Sequence, residues 1–144
     1  MKSTSGSKLA WRAGVAAALA LAMGIASADE LKVTLTGDQE VPAVATQAKG
    51  TGTITIGADK SVSGSVTTTG IEGIAAHIHV APPGKSGPPI ITLAQNEKNV
   101  WSVPAGSRLT DEQFASYQAG DLYVNVHSAE HKPGEIRGQL KPAK

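Results

Sequence analysis

Short segments in which apolar and polar residues alternate recur along the sequence, and turns rich in Gly, Pro, Asn and Asp separate them. In the first segment Leu31, Val33 and Leu35 alternate with Lys and Thr, which is typical of a strand with one buried face. Strands are predicted at 31–36, 53–56, 62–69, 74–80, 89–94, 100–103, 122–128 and 134–141. About eight strands at this density predict an all-β fold, an antiparallel sandwich or barrel.

One short helix is predicted as a connection between strands. Thr110 fits the N-cap of a capping box whose other member is Gln113. Asp111 and Glu112 place negative charge in the first turn, where the helix dipole favours it. Gly120 suits the C′ position that ends a helix, so the helix is expected to be about two turns long.

The first 28 residues have the features of a secretory signal peptide. Three basic residues precede an apolar run at 13–25, and Ala26-Ser27-Ala28 fits the small-x-small rule for cleavage. The run is shorter than the about 20 residues that a membrane-spanning helix needs. We therefore expect a cleaved signal peptide at 1–28 and one exported domain at 29–144, periplasmic or secreted, with no membrane span after cleavage.

Cleavage changes the charge balance of the chain. The thirteen basic residues become ten, against twelve acidic residues, so the exported domain is mildly acidic. Nucleic acids and anionic membrane surfaces bind proteins through basic surfaces. Neither is therefore expected as a partner.

The sequence also limits the ligands of any metal site. It has no cysteine, and both methionines, Met1 and Met23, lie in the segment expected to be removed. The domain is therefore expected to fold without disulfides. A metal site must use imidazole and oxygen ligands, which excludes a blue-copper site and a sulfur-rich Cu(I) site.

Two histidines on one predicted strand share a face. Because strand side chains alternate, His77 and His79 lie on one face while Ile78 and Val80 take the core. The Cα atoms of the histidines are expected about 6.7 Å apart, which lets one nitrogen of each ring reach the same ion. The stiff loop at 82–89 is expected to fix the orientation of His79.

A third histidine occupies the matching face of a later strand. In the strand 122–128 the aliphatic side chains take the core, which directs His127 outward. Neighbouring strands lie about 4.8 Å apart, so His127 can join His77 and His79 if the two strands are adjacent. The sequence then predicts a three-imidazole site with an open position for Cu(II) or, as an alternative, Zn(II).

Other polar residues are given structural interpretations. His131 lies in a loop and is interpreted as a solvated residue rather than a further ligand. Glu135 and Arg137 are interpreted as an ordinary charged pair on an exposed strand face. Glu40 is a second candidate partner for Arg137.

Five blocks of the sequence together resemble the chordin-type (CHRD) domain: GDQEVP at 37–42, GTG at 50–52, HIH at 77–79, LYVNVH at 122–127 and GEIRGQ at 134–139. They occur in order over nearly all of the expected exported domain. In animals such domains belong to chordin, an extracellular antagonist of bone morphogenetic proteins, and bacterial members are exported. The resemblance implies an immunoglobulin-like β-sandwich.

The CHRD family is in turn similar to copper/zinc superoxide dismutase. There a His-x-His pair on one strand and a histidine on a late strand bind copper, and these positions match His77, His79 and His127. The enzyme also has a bridging histidine, zinc ligands and a disulfide, whereas this chain has no histidine between His79 and His127 and no cysteine. The resemblance implies a mononuclear copper site. The missing bridging histidine and cysteines argue against dismutase activity.

Three hypotheses follow for the function. The first is an exported protein that binds one copper or zinc ion through His77, His79 and His127, for copper binding or handling. The second is a metal-free module that binds another exported protein, in which the histidines are ordinary surface residues. The third is dismutase-like redox activity. The chain has no Gly-x-Ser-x-Gly elbow and no phosphate-binding glycine loop, so it is interpreted as a binding protein rather than an enzyme.

Overall fold

The computed structural model describes residues 27–143, which form two antiparallel β-sheets and one short α-helix. The predicted signal peptide at 1–28 lies outside the described residues except for Ser27 and Ala28. The strands are β1 Ala28–Leu35, β2 Lys49–Gly57, β3 Val62–Thr69, β4 Gly73–Val80, β5 Pro89–Thr92, β6 Ala94–Glu97, β7 Val100–Ser102, β8 Leu122–Ser128 and β9 Ile136–Leu140. Within 27–143, no helix has the length and hydropathy that a membrane crossing requires.

The two sheets pack face to face as a sandwich. One has the strand order β1-β2-β3-β7-β6 and the other the order β5-β4-β8-β9. The predicted all-β antiparallel sandwich with one connecting helix is confirmed. The described residues hold nine strands rather than eight because the predicted strand 89–94 is divided between the sheets. Leu93, which is buried, separates β5 in one sheet from β6 in the other.

An aliphatic core fills the space between the sheets. Alternate side chains of most strands point inward, as the sequence pattern requires, whereas all four residues of β6 are exposed. Inward-facing residues that are at most 1% exposed are Leu35, Ile54, Val66, Ala76, Ile78, Leu122, Val124, Val126, Ile136 and Leu140. Burying one of the Val, Leu or Ile side chains contributes about 1.5–3 kcal/mol, so this layer is the main source of stability.

The helix α1, Asp111–Gln118, is two turns long and begins as predicted. The Thr110 hydroxyl accepts a hydrogen bond from the Gln113 amide, and the Thr110 amide donates to the Gln113 side chain. Gly120 follows the helix with φ +83°, the left-handed conformation that favours glycine at this position.

The edge formed by β9 is covered by the chain that follows β1. The amides of Thr36 and Arg137 each donate to the carbonyl of the other at 3.0 Å. Gly138 allows this approach, because a Cβ there would lie 2.6 Å from the carbonyl oxygen of Thr34. The sandwich is thereby closed on this side, and β4 and β8 are left at the centre of their sheet.

Candidate metal centre

The three predicted histidines project from β4 and β8, which are neighbours in the four-stranded sheet. The antiparallel register pairs His79 with Tyr123, His77 with Asn125 and Ala75 with His127. All these side chains lie on the outer face of the sheet, because their neighbours along each strand point into the core. The adjacency on which the sequence prediction depended is therefore present.

The imidazole rings converge on one point. His77 Nδ1 lies 2.9 Å from His127 Nε2, and the ring centroid of His79 is 5.5 Å from that of His77 and 6.0 Å from that of His127. One nitrogen of each ring lies within 4.8 Å of the nitrogens of the other two. Two nitrogens bound to one tetrahedral Zn²⁺ are about 3.3 Å apart, so small ring rotations bring all three to ligand distance.

Backbone carbonyls determine which nitrogens are free to bind. His79 Nδ1 lies 2.9 Å from the carbonyl oxygen of Gly87, and His127 Nδ1 lies 2.7 Å from that of Lys132. A carbonyl oxygen only accepts, so both Nδ1 atoms carry the proton and donate. In the neutral rings both Nε2 atoms keep a lone pair. His127 Nε2 therefore accepts from His77 Nδ1.

The environment of the centre favours the neutral form of His77 and His79. Burial lowers the pKa of His77 below its ordinary value, and the neighbouring His127 and His79 lower it further. Burial also lowers the pKa of His79, although the hydrogen bond to Gly87 opposes the shift. Only neutral imidazole binds a metal ion, so these shifts hold the rings ready to bind near neutral pH.

The outer face is more buried than the sequence analysis predicted. His79 is only 8% exposed, although it was expected on an outer face of the sheet, and its neighbour Tyr123 is 3% exposed. The loop after β4 covers them. The Gly87 carbonyl accepts from His79, and the Gly87 amide donates to the Tyr123 hydroxyl at 3.2 Å.

Arg137 clamps the same loop from β9. Its guanidinium donates to the carbonyls of Lys85 at 2.7 Å and Pro82 at 3.2 Å, and its Cζ lies 3.5 Å from the centroid of the Tyr123 ring. The opposite neighbour of Tyr123 is His79, whose ring is stacked on it at 4.9 Å and 6°. Tyr123 is thus held between the guanidinium of Arg137 and the imidazole of His79, and the stack orients His79.

The predicted exposed pair of Glu135 and Arg137 is wrong. Arg137 is 1% exposed and Glu135 6%, and Glu135 accepts hydrogen bonds from the Ser128 and Thr46 hydroxyls at 2.8 Å. Loops that fold over the sheet bury both residues, which strand alternation alone does not reveal.

Glu40 lies near Arg137 but forms no salt bridge with it. Within 27–143 the single salt bridge joins Lys60 and Asp111. Burial raises the pKa of Glu40 to about 7, against the opposing effect of the Arg137 charge. Glu40 and Arg137 are therefore two buried groups that interact through their charges without forming a salt bridge.

His131 lies apart from the three-histidine centre. It is partly buried and groups with Glu130 and Glu135, with one ligand atom of each within 4.8 Å of the others. The neighbours of His131 are therefore carboxylates. The centre on β4 and β8 consists of His77, His79 and His127.

The sequence analysis assigned no role to Asn125, which lies on the same outer face of the sheet as the three histidines. Its residue pair on β4 is His77, and it is only 2% exposed. The available signal was its position on the outer face two residues before His127.

The comparison with protein families gives one match. The CHRD domain family model matches residues 31–140, a range that contains every residue of the centre. Neither a curated protein nor a solved structure matches the chain.

Proposed function

The chain belongs to the CHRD domain family, and on this premise we propose that it is an exported protein that binds one Cu(II) ion through His77, His79 and His127. Its role is to bind or handle copper outside the cytoplasm. Zn(II) is the alternative ion for the same ligands.

The observation that carries the proposal is the Nε2 atom of His79. This atom is buried and has no hydrogen-bond partner, while the opposite nitrogen of the ring is fixed by Gly87. A buried polar atom without a partner costs about 1–3 kcal/mol. A metal ion shared with His77 and His127 removes that cost by using the lone pair.

The ligand set favours Cu(II). Three imidazoles and no sulfur suit Cu(II) and Zn(II), and nitrogen ligands bind Cu(II) more tightly in the Irving–Williams order. Calcium and magnesium are disfavoured because they take oxygen ligands.

The proposed location rests on two features. CHRD domains occur in extracellular proteins, and the first 28 residues have the pattern of a signal peptide. We therefore infer that the protein acts in the periplasm or outside the cell.

The test is a titration of the chelator-treated purified protein with Cu(II), followed by calorimetry and electron paramagnetic resonance. We expect one tightly bound ion with nitrogen hyperfine structure. His77→Gln and His127→Gln each remove one ligand, so each should weaken binding by about 100-fold or more. His131→Gln is the matched control and should bind as the wild type does.

Unchanged Cu(II) binding in both the His77→Gln and His127→Gln variants contradicts the proposal. A parallel Zn(II) titration decides the metal, and tighter binding of zinc than of copper contradicts the assignment to copper. A purified protein that takes up neither ion supports the alternative of a metal-free interaction module.

A further inference from the structure

Buried polar atoms without partners gather around the centre. Among the described residues four buried side-chain atoms lack a hydrogen-bond partner, and one of them, Trp101 Nε1, belongs to the core between the sheets. The other three are His79 Nε2, Asn125 Oδ1 and Glu40 Oε1. Since unpaired buried polar groups are costly, His79 Nε2 and Asn125 Oδ1, which lie on the same outer face, indicate a ligand that uses them.

Asn125 neighbours all three histidines on the outer face of the sheet. It lies directly across from His77, two residues before His127 on the same strand, and diagonal to His79, which pairs with Tyr123. Directly opposed Cβ atoms are about 4.5–5.5 Å apart, and diagonal ones about 7–8 Å. The carboxamide of Asn125 therefore lies on the outer face of the sheet, among the three imidazoles.

Its surroundings fix the orientation of this carboxamide. Nδ2 donates to the carbonyl oxygen of Pro133 at 3.3 Å. Nδ2 and Glu40 Oε1 also converge on Gly134, at 2.6 and 2.5 Å from the position that a Cβ would occupy. Gly134 has φ +133°, so glycine is favoured at this point for its conformation as well as for space. With Nδ2 turned toward Pro133, Gly134 and Glu40, Oδ1 lies on the side of the histidines.

We propose that Asn125 Oδ1 accepts a hydrogen bond from a water molecule bound to the metal at the position that the three imidazoles leave open. This inference rests on the proposed function, because it needs an ion at His77, His79 and His127. It makes Asn125 a positioning residue. It also identifies the class of the fourth ligand as a small proton donor, water.

The oxygen of Asn125 selects among exogenous ligands. A carbonyl oxygen only accepts hydrogen bonds, so it stabilises a bound water but offers nothing to azide or chloride. The lone pairs of Oδ1 repel an anion at the same position. The centre is therefore expected to keep its water ligand in the presence of such anions.

The first test uses the wild-type Cu(II) protein alone. Pulsed electron paramagnetic resonance in H2O and D2O should detect exchangeable protons of one water bound to copper. The absence of such protons, in a protein that binds Cu(II) through nitrogen, overturns this inference and leaves the proposed function standing. A protein that binds no Cu(II) overturns both.

The second test separates the oxygen of Asn125 from its nitrogen. Asn125→Asp keeps an acceptor toward the centre and loses the donor to Pro133, whereas Asn125→Leu loses both. We expect Asn125→Leu to retain Cu(II) with about tenfold lower affinity and with azide displacing the water more readily. Asn125→Asp should keep the water signal and the resistance to azide.

Equal behaviour of the two variants overturns the inference, because the hydrogen bond to Pro133 alone then explains the effect. Wild-type affinity and azide response in Asn125→Leu overturn it as well. If Asn125→Leu does not fold, the comparison of Asn125→Asp with the wild type and the water signal of the wild type still decide the question.

Discussion

His77 Nδ1 and His127 Nε2 lie 2.9 Å apart, and the hydrogen bond between them uses two nitrogens that face the proposed ion. His127 Nε2 is the acceptor, because the carbonyl oxygen of Lys132 fixes the proton of that ring on Nδ1. The two rings are therefore held together by a hydrogen bond that the proposed ion would replace. This arrangement keeps the two rings at nearly the separation that a shared ion requires.

Metal binding is predicted to move the proton of His77 from Nδ1 to Nε2. Its Nδ1 carries hydrogen in the metal-free protein, and it can bind an ion only after that proton leaves. Nitrogen-15 spectra of the histidine side chains, recorded without metal and with diamagnetic Zn(II), measure the change directly. His79 and His127 should keep the proton on Nδ1 throughout, because Gly87 and Lys132 hold it there. An unchanged His77 tautomer in the zinc-bound protein contradicts binding through Nδ1.

The pH dependence of copper binding should be displaced toward acid. The pKa values of His77 and His79 lie below the ordinary 6.5, mainly because of burial. Neutral imidazole is the form that binds, so the midpoint of the loss of affinity should lie at lower pH than the ordinary pKa of imidazole. Calorimetric titrations between about pH 5 and 8 measure the midpoint. A midpoint at or above 6.5 contradicts the prediction.

The same two shifts affect the stability of the metal-free protein. The unfolded chain takes up protons at these histidines before the folded protein does, so the free energy of unfolding should fall as the pH drops through 6.5. Bound Zn(II) should move this loss to lower pH, since it competes with protons. Urea unfolding at several pH values, with and without Zn(II), tests the sign of both effects.

Removing the guanidinium of Arg137 should loosen the loop that orients His79. Arg137→Met deletes the donors to Pro82 and Lys85 and leaves their carbonyls without these partners. The expected loss is about 2–4 kcal/mol in the free energy of unfolding, measured with urea. The control is Arg108→Met, where an exposed arginine donates to one carbonyl, with an expected change within about 1 kcal/mol. Equal losses in the two variants contradict a structural role for the clamp.

Much of the centre was predictable from the sequence because strand alternation is local. The period of two placed His77, His79 and His127 on outer faces, and the structure agrees. Alternation does not reveal how loops fold back over a face, so the burial of Arg137 was missed. The contacts that bury it join residues more than 50 positions apart, as in its bond to Lys85.

The division of the strand 89–94 was missed for a related reason. Ile90 and Ile91 favour a strand, and nothing in the local pattern shows that the chain changes sheets at Leu93. Conversely, the ends of α1 were predicted well, because the signals of Thr110, Gln113 and Gly120 act on the adjacent backbone. The features predicted correctly are determined by neighbouring residues in the sequence, whereas the features that were missed depend on tertiary contacts.

The burial of Glu40 is predicted to make the free energy of unfolding depend on pH. Burial raises the pKa of Glu40 to about 7 in the folded protein, against 4.5 for the ordinary carboxyl. The folded state therefore holds this proton more tightly than the unfolded chain. The contribution of Glu40 to stability is present below 4.5 and is lost as the pH rises through 7.

Glu40→Gln keeps the shape of the side chain and stays neutral at every pH. Relative to the wild type, it should become more stable by roughly 2 kcal/mol between about pH 4.5 and 8, measured by urea unfolding. The comparison cancels the effect of His77 and His79, which both proteins share. Glu97→Gln on the exposed strand β6 is the matched control and should change little at either pH. Parallel stability profiles for Glu40→Gln and the wild type would show that the Glu40 carboxyl ionises in the folded protein as easily as in the unfolded chain.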